Sequence, residues 1–103
     1  MNARIIKSGN LEIKRFFALD KKAYEEGALT AETKEMPGLT ASLVLRCDDC
    51  VTYLLRRCVE EGLTDRRLFE ALNAGLAVGG SIVIPGLRKA VSMLDEIRRA
   101  SPS

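Results

Sequence analysis

The stretch CDDCVTYLLRRCVEE, Cys47 to Glu61, carries apolar residues at Cys50, Val51, Leu54, Leu55, Cys58 and Val59. That i, i+1, i+4, i+5, i+8, i+9 spacing draws one stripe along a helix of 3.6 residues per turn, the pattern of a helix with one buried face. A helix is expected from Asp48 to Glu61, ended by Gly62. The same spacing continues on both sides, with no period-2 run longer than a few residues. After Thr64, a natural cap, a helix from Asp65 to about Val78 turns Leu68, Phe69, Leu72 and Leu76 inward, and Gly79-Gly80 breaks it. A last helix carries Leu87, Ala90, Val91, Leu94 and Ile97, with Pro85 near its first turn. On the N-terminal side, Ala31 to Leu45 reads as a helix capped by Thr30. Pro37-Gly38 inside it predicts a kink or a late start. A first helix from Leu11 to Glu26 is bounded by Asn10 and Gly27. The expected fold is an all-α bundle of about five helices with short connections.

The chain has 103 residues, one domain's worth, so residues 1–103 are read as a single domain. A chain of that length can bury roughly 65% of its unfolded surface, enough for a core without metal or disulfide staples. Hydrophobic residues make up 47% and charged residues 29%, which excludes disorder as the main state. Aromatic residues are only 5%, with no Trp, so the core must be aliphatic. Sixteen basic residues against 14 acidic ones leave +2, without the basic stripe of a nucleic-acid or anionic-membrane binder. Neither partner is expected. The longest uncharged stretch, Ala71 to Leu87, holds Asn73, Ser81, Pro85 and four glycines, a poor composition for a membrane span. The N-terminus turns polar before any apolar run develops, unlike a secretory signal. The expected location is the cytoplasm, where three cysteines are not a structural disulfide framework.

Histidine is absent. That removes a Ser–His or Cys–His pair, a His-ligated zinc and an imidazole base. Proton chemistry must use carboxylates, thiols, Lys or Tyr. The sharpest chemical feature is then Cys47-Asp48-Asp49-Cys50 at a helix start. Residues i and i+3 on a helix have Cβ atoms about 5–6 Å apart, whereas a disulfide wants about 3.5–4.5 Å. With Cys47 at the N-cap, off the helical path, small adjustments close that gap. The helix N-terminus and Arg46 favour a thiolate there, while Asp48 and Asp49 oppose it, and the net sign is open at this level. The competing readings are two small buried hydrophobes, or half of a zinc site. Zinc ordinarily takes four Cys or His ligands, and three Cys with no His do not supply them. No metal or cofactor is expected. A thioredoxin-type pair would sit beside a βαβ pattern, which is missing. Cys58 shares the apolar stripe and reads as an inert core cysteine. Glu35 stands 12 residues before Cys47; a nearby carboxylate could shuttle protons for a thiol pair, but its spacing alone favours a solvated surface position. Gly79-Gly80 lacks the flanking strand of a phosphate loop.

The segment KEMPGLTASLVLRCDDCVTYLLRRCVEEGLTDRRLFEALNAGLAVGGSI, Lys34 to Ile82, resembles the core of the carboxymuconolactone decarboxylase-like, or AhpD-like alkylhydroperoxidase, family. Glu35, the CDDC pair, Tyr53, the EEGLT turn, the FEALN helix and the AVGGS bend follow in the family's order. The resemblance implies an AhpD-like helical bundle that assembles as a homotrimer or homohexamer. It also implies a thiol-dependent peroxidase or disulfide oxidoreductase, with Glu35, Cys47 and Cys50 as its catalytic residues. The substrate would be a peroxide or disulfide, and a thiol would act as reductant. Redox-active members add a His four residues after the second Cys; that position is Leu54, so weak activity is expected. Pro37-Gly38 interrupts a helix that usually runs through in the family. The alternatives are a non-catalytic oligomeric binding protein of the same fold and a lactone decarboxylase, whose His-based acid–base site this composition does not provide.

Overall fold

The computed structural model describes residues 4, 7 and 10–100. Residues 10–100 contain five α-helices and one 3₁₀ turn: α1 Leu11–Ala23, α2 Ala31–Val44, α3 Asp48–Glu60, α4 Asp65–Gly79, the 3₁₀ turn Gly80–Val83, and α5 Ile84–Ala100. No strand occurs among the described residues, in line with the all-α expectation. The chain falls into two compact units, Met1–Ala31 and Glu32–Ser103.

The first unit contains α1. Asn10 caps it, its side chain accepting the Ile13 N–H at 3.1 Å. The helix ends at Ala23 rather than at Glu26. The N–H groups of Tyr24 and Glu25 donate to Lys21 O and Lys22 O, the i→i−3 tightening that finishes a helix. Phe16 and Phe17 meet edge to face at 5.6 Å.

The second unit holds the aliphatic core. Leu39 and Leu43 of α2, Leu54, Leu55 and Cys58 of α3, Leu68 and Leu72 of α4, Val83, and Ala90 and Leu94 of α5 are buried. α3 packs along α5, and the 3₁₀ turn packs against both α4 and α5. Helix α2 crosses α4 at Gly75, where an added Cβ would stand 3.0 Å from a Leu43 methyl and 3.3 Å from Thr40 O. The Thr40 hydroxyl donates across that crossing to Ala71 O at 2.8 Å.

Two expectations need correction, and a third is narrowed, since the alternative of a late start at Pro37 does not hold. Helix α2 runs from Ala31 to Val44 with Pro37 inside it and no break. An interior proline costs about 3 kcal/mol, whereas burying Leu39 and Leu43 on one continuous face returns about 1.5–3 kcal/mol each. Hydroxyls bond backbone carbonyls beside it: Thr40 reaches Met36 O and Ser42 reaches Gly38 O. Phe69 is exposed rather than inward; the buried positions of α4 are Leu68, Leu72 and Gly75. Cys50, placed on the buried stripe of α3 by its spacing, is exposed. It lies in the first turn beside Val51, which is buried.

By length and composition, the helical run Asp65–Ala100 is long and apolar enough to cross a membrane. Gly80, at φ 73°, divides it into α4 and α5, which pack on each other within this unit.

Candidate active site

The cysteine pair lies where α2 hands over to α3. Past Val44 the chain closes with Arg46 N–H donating to Leu43 O and Cys47 N–H to Ser42 O, both at 3.0 Å. This is the Schellman arrangement of a helix C-terminus, with Arg46 in the left-handed position usually held by glycine. Its φ is 59°, a conformation that costs a side-chain-bearing residue about 1–2 kcal/mol. The turn delivers Cys47 in extended conformation to the N-cap of α3. There its Sγ accepts the Cys50 N–H at 3.3 Å. Being off the helical path, Cys47 brings its Cα to 5.2 Å from that of Cys50, and the two form a disulfide. The separation is ordinary for such a bond.

Cys47 is half-buried and Cys50 exposed. Among their charged neighbours, the Asp48 carboxylate is paired with Lys89 of α5 at 2.9 Å. That ion pair offsets one of the two negative charges opposing a thiolate at the helix start. An open groove of about 420 Å³ between α3 and α5 begins at this pair. Val51, Ala90 and Met93 line it, with Asp48 and Lys89 in its wall.

Glu35 departs from the surface position its spacing favours. It is fully buried. Its Oε1 accepts from Arg57 Nη2 at 2.9 Å, and its buried Oε2 has no hydrogen-bond partner. Neither oxygen is bonded to Cys47 or Cys50. The ion pair joins facing sides of α2 and α3 and holds the Arg57 guanidinium above its ordinary value, chiefly through the hydrogen bond to Glu35 and against the effect of burial. Cys58 is buried as a free thiol. Burial, reinforced by Glu35, Glu32 and Glu61 and partly offset by Arg57, pushes it up to about 11. It therefore stays protonated at neutral pH. Leu54, one turn after Cys50, is buried and apolar.

The structure thus unites Cys47 with Cys50 and seats Glu35 separately, against Arg57. Sequence reasoning missed Arg57. Its signal was present only in combination, because a buried carboxylate on α2 needs a cation from the helix it faces. No described group of three or more His, Cys, Asp or Glu residues could hold a metal ion.

A profile of the carboxymuconolactone decarboxylase family matches residues 13–93. The chain is 28% identical over 82 residues to uncharacterized protein 4 in the cox locus of Paracoccus denitrificans, covering 80% of this chain and 74% of that one. A crystal structure from Thermotoga maritima superposes with a TM-score of 0.90 at 55% identity, over 94% of this chain and 83% of that chain. It is a carboxymuconolactone decarboxylase family protein for which a part in the antioxidative response has been suggested. An apo member of the family from Legionella pneumophila shares the fold, with a TM-score of 0.84 at 23% identity over 92% of this chain and 85% of that chain.

Proposed function

The chain belongs to the carboxymuconolactone decarboxylase family, and from that premise we propose that it is a peroxiredoxin-like thiol oxidoreductase working through Cys47 and Cys50. The observation that carries this reading is the bonded pair at the start of α3, with one of its two residues exposed, while the third cysteine is buried and protonated. In the cycle, one thiolate attacks the peroxide O–O bond. Sulfur takes one oxygen as sulfenic acid, and the other leaves as alcohol or water. The second thiol displaces that hydroxyl as water and closes the disulfide. A thiol reductant then returns two electrons. Glu35 serves as the proton-handling carboxylate. These steps need no metal or organic cofactor. A couple that must be re-reduced in every turn suits a reducing compartment such as the cytoplasm.

A second reading is a non-catalytic binding protein of the same fold. It is favoured by Leu54, buried where redox-active relatives carry a His, and by Glu35 already engaged with Arg57. Mass spectrometry with thiol alkylation, before and after dilute peroxide, separates the two. The expected result is loss of two hydrogen atoms, two protons with two electrons passed to the peroxide, from Cys47 and Cys50, reversed by a dithiol, with Cys58 still a thiol. A bridge that includes Cys58, or a pair that never cycles, overturns the redox reading.

A further inference from the structure

The two sulfurs of the pair are not equivalent, and the difference assigns them separate roles in re-reduction. Cys50 is exposed and Cys47 half-buried. Cys47 Sγ sits at the N-cap of α3 and accepts the Cys50 N–H at 3.3 Å, where a helix 13 residues long presents the positive end of its dipole. Arg46 precedes it directly. Asp48, a charge that would oppose a thiolate, is tied to Lys89 at 2.9 Å. On the other side, Cys50 lies inside the first turn. The next residue on its face is Leu54, which is buried and can neither donate a hydrogen bond nor carry charge.

We infer that an incoming thiolate attacks Cys50 Sγ and that Cys47 departs as the thiolate. This assignment rests on the reading of the pair as a cycling disulfide. The bond between the reductant's sulfur and Cys50 forms as the Cys47–Cys50 bond breaks, and its electron pair stays on Cys47 Sγ. A second thiolate of the reductant then attacks the reductant's own sulfur in that mixed disulfide. It releases Cys50, which takes a proton from water. The protein disulfide gains two electrons, and two reductant thiols become one disulfide. Thiol exchange is fastest when the leaving sulfur bears negative charge most easily and the attacked sulfur is open to approach. In this chain the N-cap position that favours a thiolate is held by Cys47, and the more exposed residue of the pair is Cys50.

The test starts from the oxidised full chain and 2-mercaptoethanol, an uncharged monothiol. Samples are quenched at early times with N-ethylmaleimide and mapped by peptide mass spectrometry. The expected product carries mercaptoethanol on Cys50 and maleimide on Cys47, in roughly tenfold or greater excess over the reverse. The reverse labelling, or equal amounts, overturns the assignment. So does a disulfide that forms no adduct although a phosphine reduces it, because Cys50 is then closed to a thiol. Exchange within the adduct is controlled for by a second arm, the pH dependence of alkylation in the reduced single-cysteine variants. Cys47 in Cys50→Ser should react from a lower pH than Cys50 in Cys47→Ser, and coincident or inverted midpoints overturn the assignment. The proposed peroxidase activity is judged by a separate measurement, peroxide-driven closure of the pair, so the two can fail independently.

Discussion

In the proposed cycle, Glu35 and Leu54 are the residues on which proton handling turns. A fully buried carboxylate is tolerated here because Arg57 supplies a counter-charge and a hydrogen bond at 2.9 Å; removing the cation from such a pair typically costs about 3–5 kcal/mol. The free Oε2 has no side-chain relay at the position one turn beyond Cys50, which is Leu54, so in the proposed cycle protons pass between Glu35 and the thiols through water alone. A positioned acid–base group contributes about 10²–10⁴ in rate. Wild type should therefore consume peroxide slowly with a small dithiol as donor. Leu54→His should raise turnover, at a stability cost of about 1–3 kcal/mol for a polar ring on a core face, and Glu35→Gln should lower it. A fast wild type that neither substitution alters would refute the proton role of both positions. An inert wild type with an inert, folded Leu54→His would favour the binding-protein reading. Cys58 makes a different prediction. Its thiol is raised by burial from 9.0 to about 11, so the folded state keeps a proton that the unfolded chain gives up. Stability from this group is intact below about pH 9 and lost as pH rises through about 11, roughly 2–3 kcal/mol in all. Denaturant midpoints across that window should fall in wild type and fall less in Cys58→Ala. Parallel curves would show that the thiol titrates normally.

At the scale of elements, the junction of α2 and α3 is the part of the fold on which the proposed chemistry depends. One turn ends α2, places Cys47 at the N-cap of α3 and puts Arg46 at φ 59°. The end of α3 repeats the arrangement with glycine: Gly62 has φ 85°, and Leu63 N–H donates to Cys58 O. The chain therefore uses the relaxed residue at one helix end and a strained arginine at the other. Arg46→Gly should raise stability by roughly 1 kcal/mol, read as a higher denaturant midpoint. It should also slow alkylation of reduced Cys47 at neutral pH by removing the adjacent cation. An unchanged alkylation rate would mean that the N-cap alone sets the thiol's reactivity. Pro37 belongs to this scale too, since α2 runs through it from Ala31 to Val44 with Leu39 and Leu43 buried.

For the molecule as a whole, the open question is what covers its apolar exterior. Within the second unit, Leu45 is 77% exposed, Val78 78% and Ile82 59%. The last two lie in the nearly uncharged Ala71–Leu87 stretch. Exposed apolar surface of this kind marks interfaces, and identical chains usually satisfy it by closed symmetry. Light scattering at micromolar concentration should report a homotrimer or homohexamer. A monomer mass would sink that expectation, and Val78→Glu should shift the mass downward if this surface is the contact.

The linear chain alone determined the helical class, most caps and the CxxC pair, because these depend on neighbours within one or two turns. Asn10, Cys47 and Thr64 each cap the helix that follows, as local rules require. The third helix ends before Gly62 for the same reason. Burial of Glu35, its union with Arg57, exposure of Cys50 and continuity of α2 through Pro37 were decided only by tertiary packing. Each depends on what a second helix presents: a guanidinium 22 positions away, a close crossing at Gly75, a lysine of α5 paired with Asp48. Spacing along one helix reports which side chains share a face. Whether that face meets a partner, a charge or water is a property of the assembled helices.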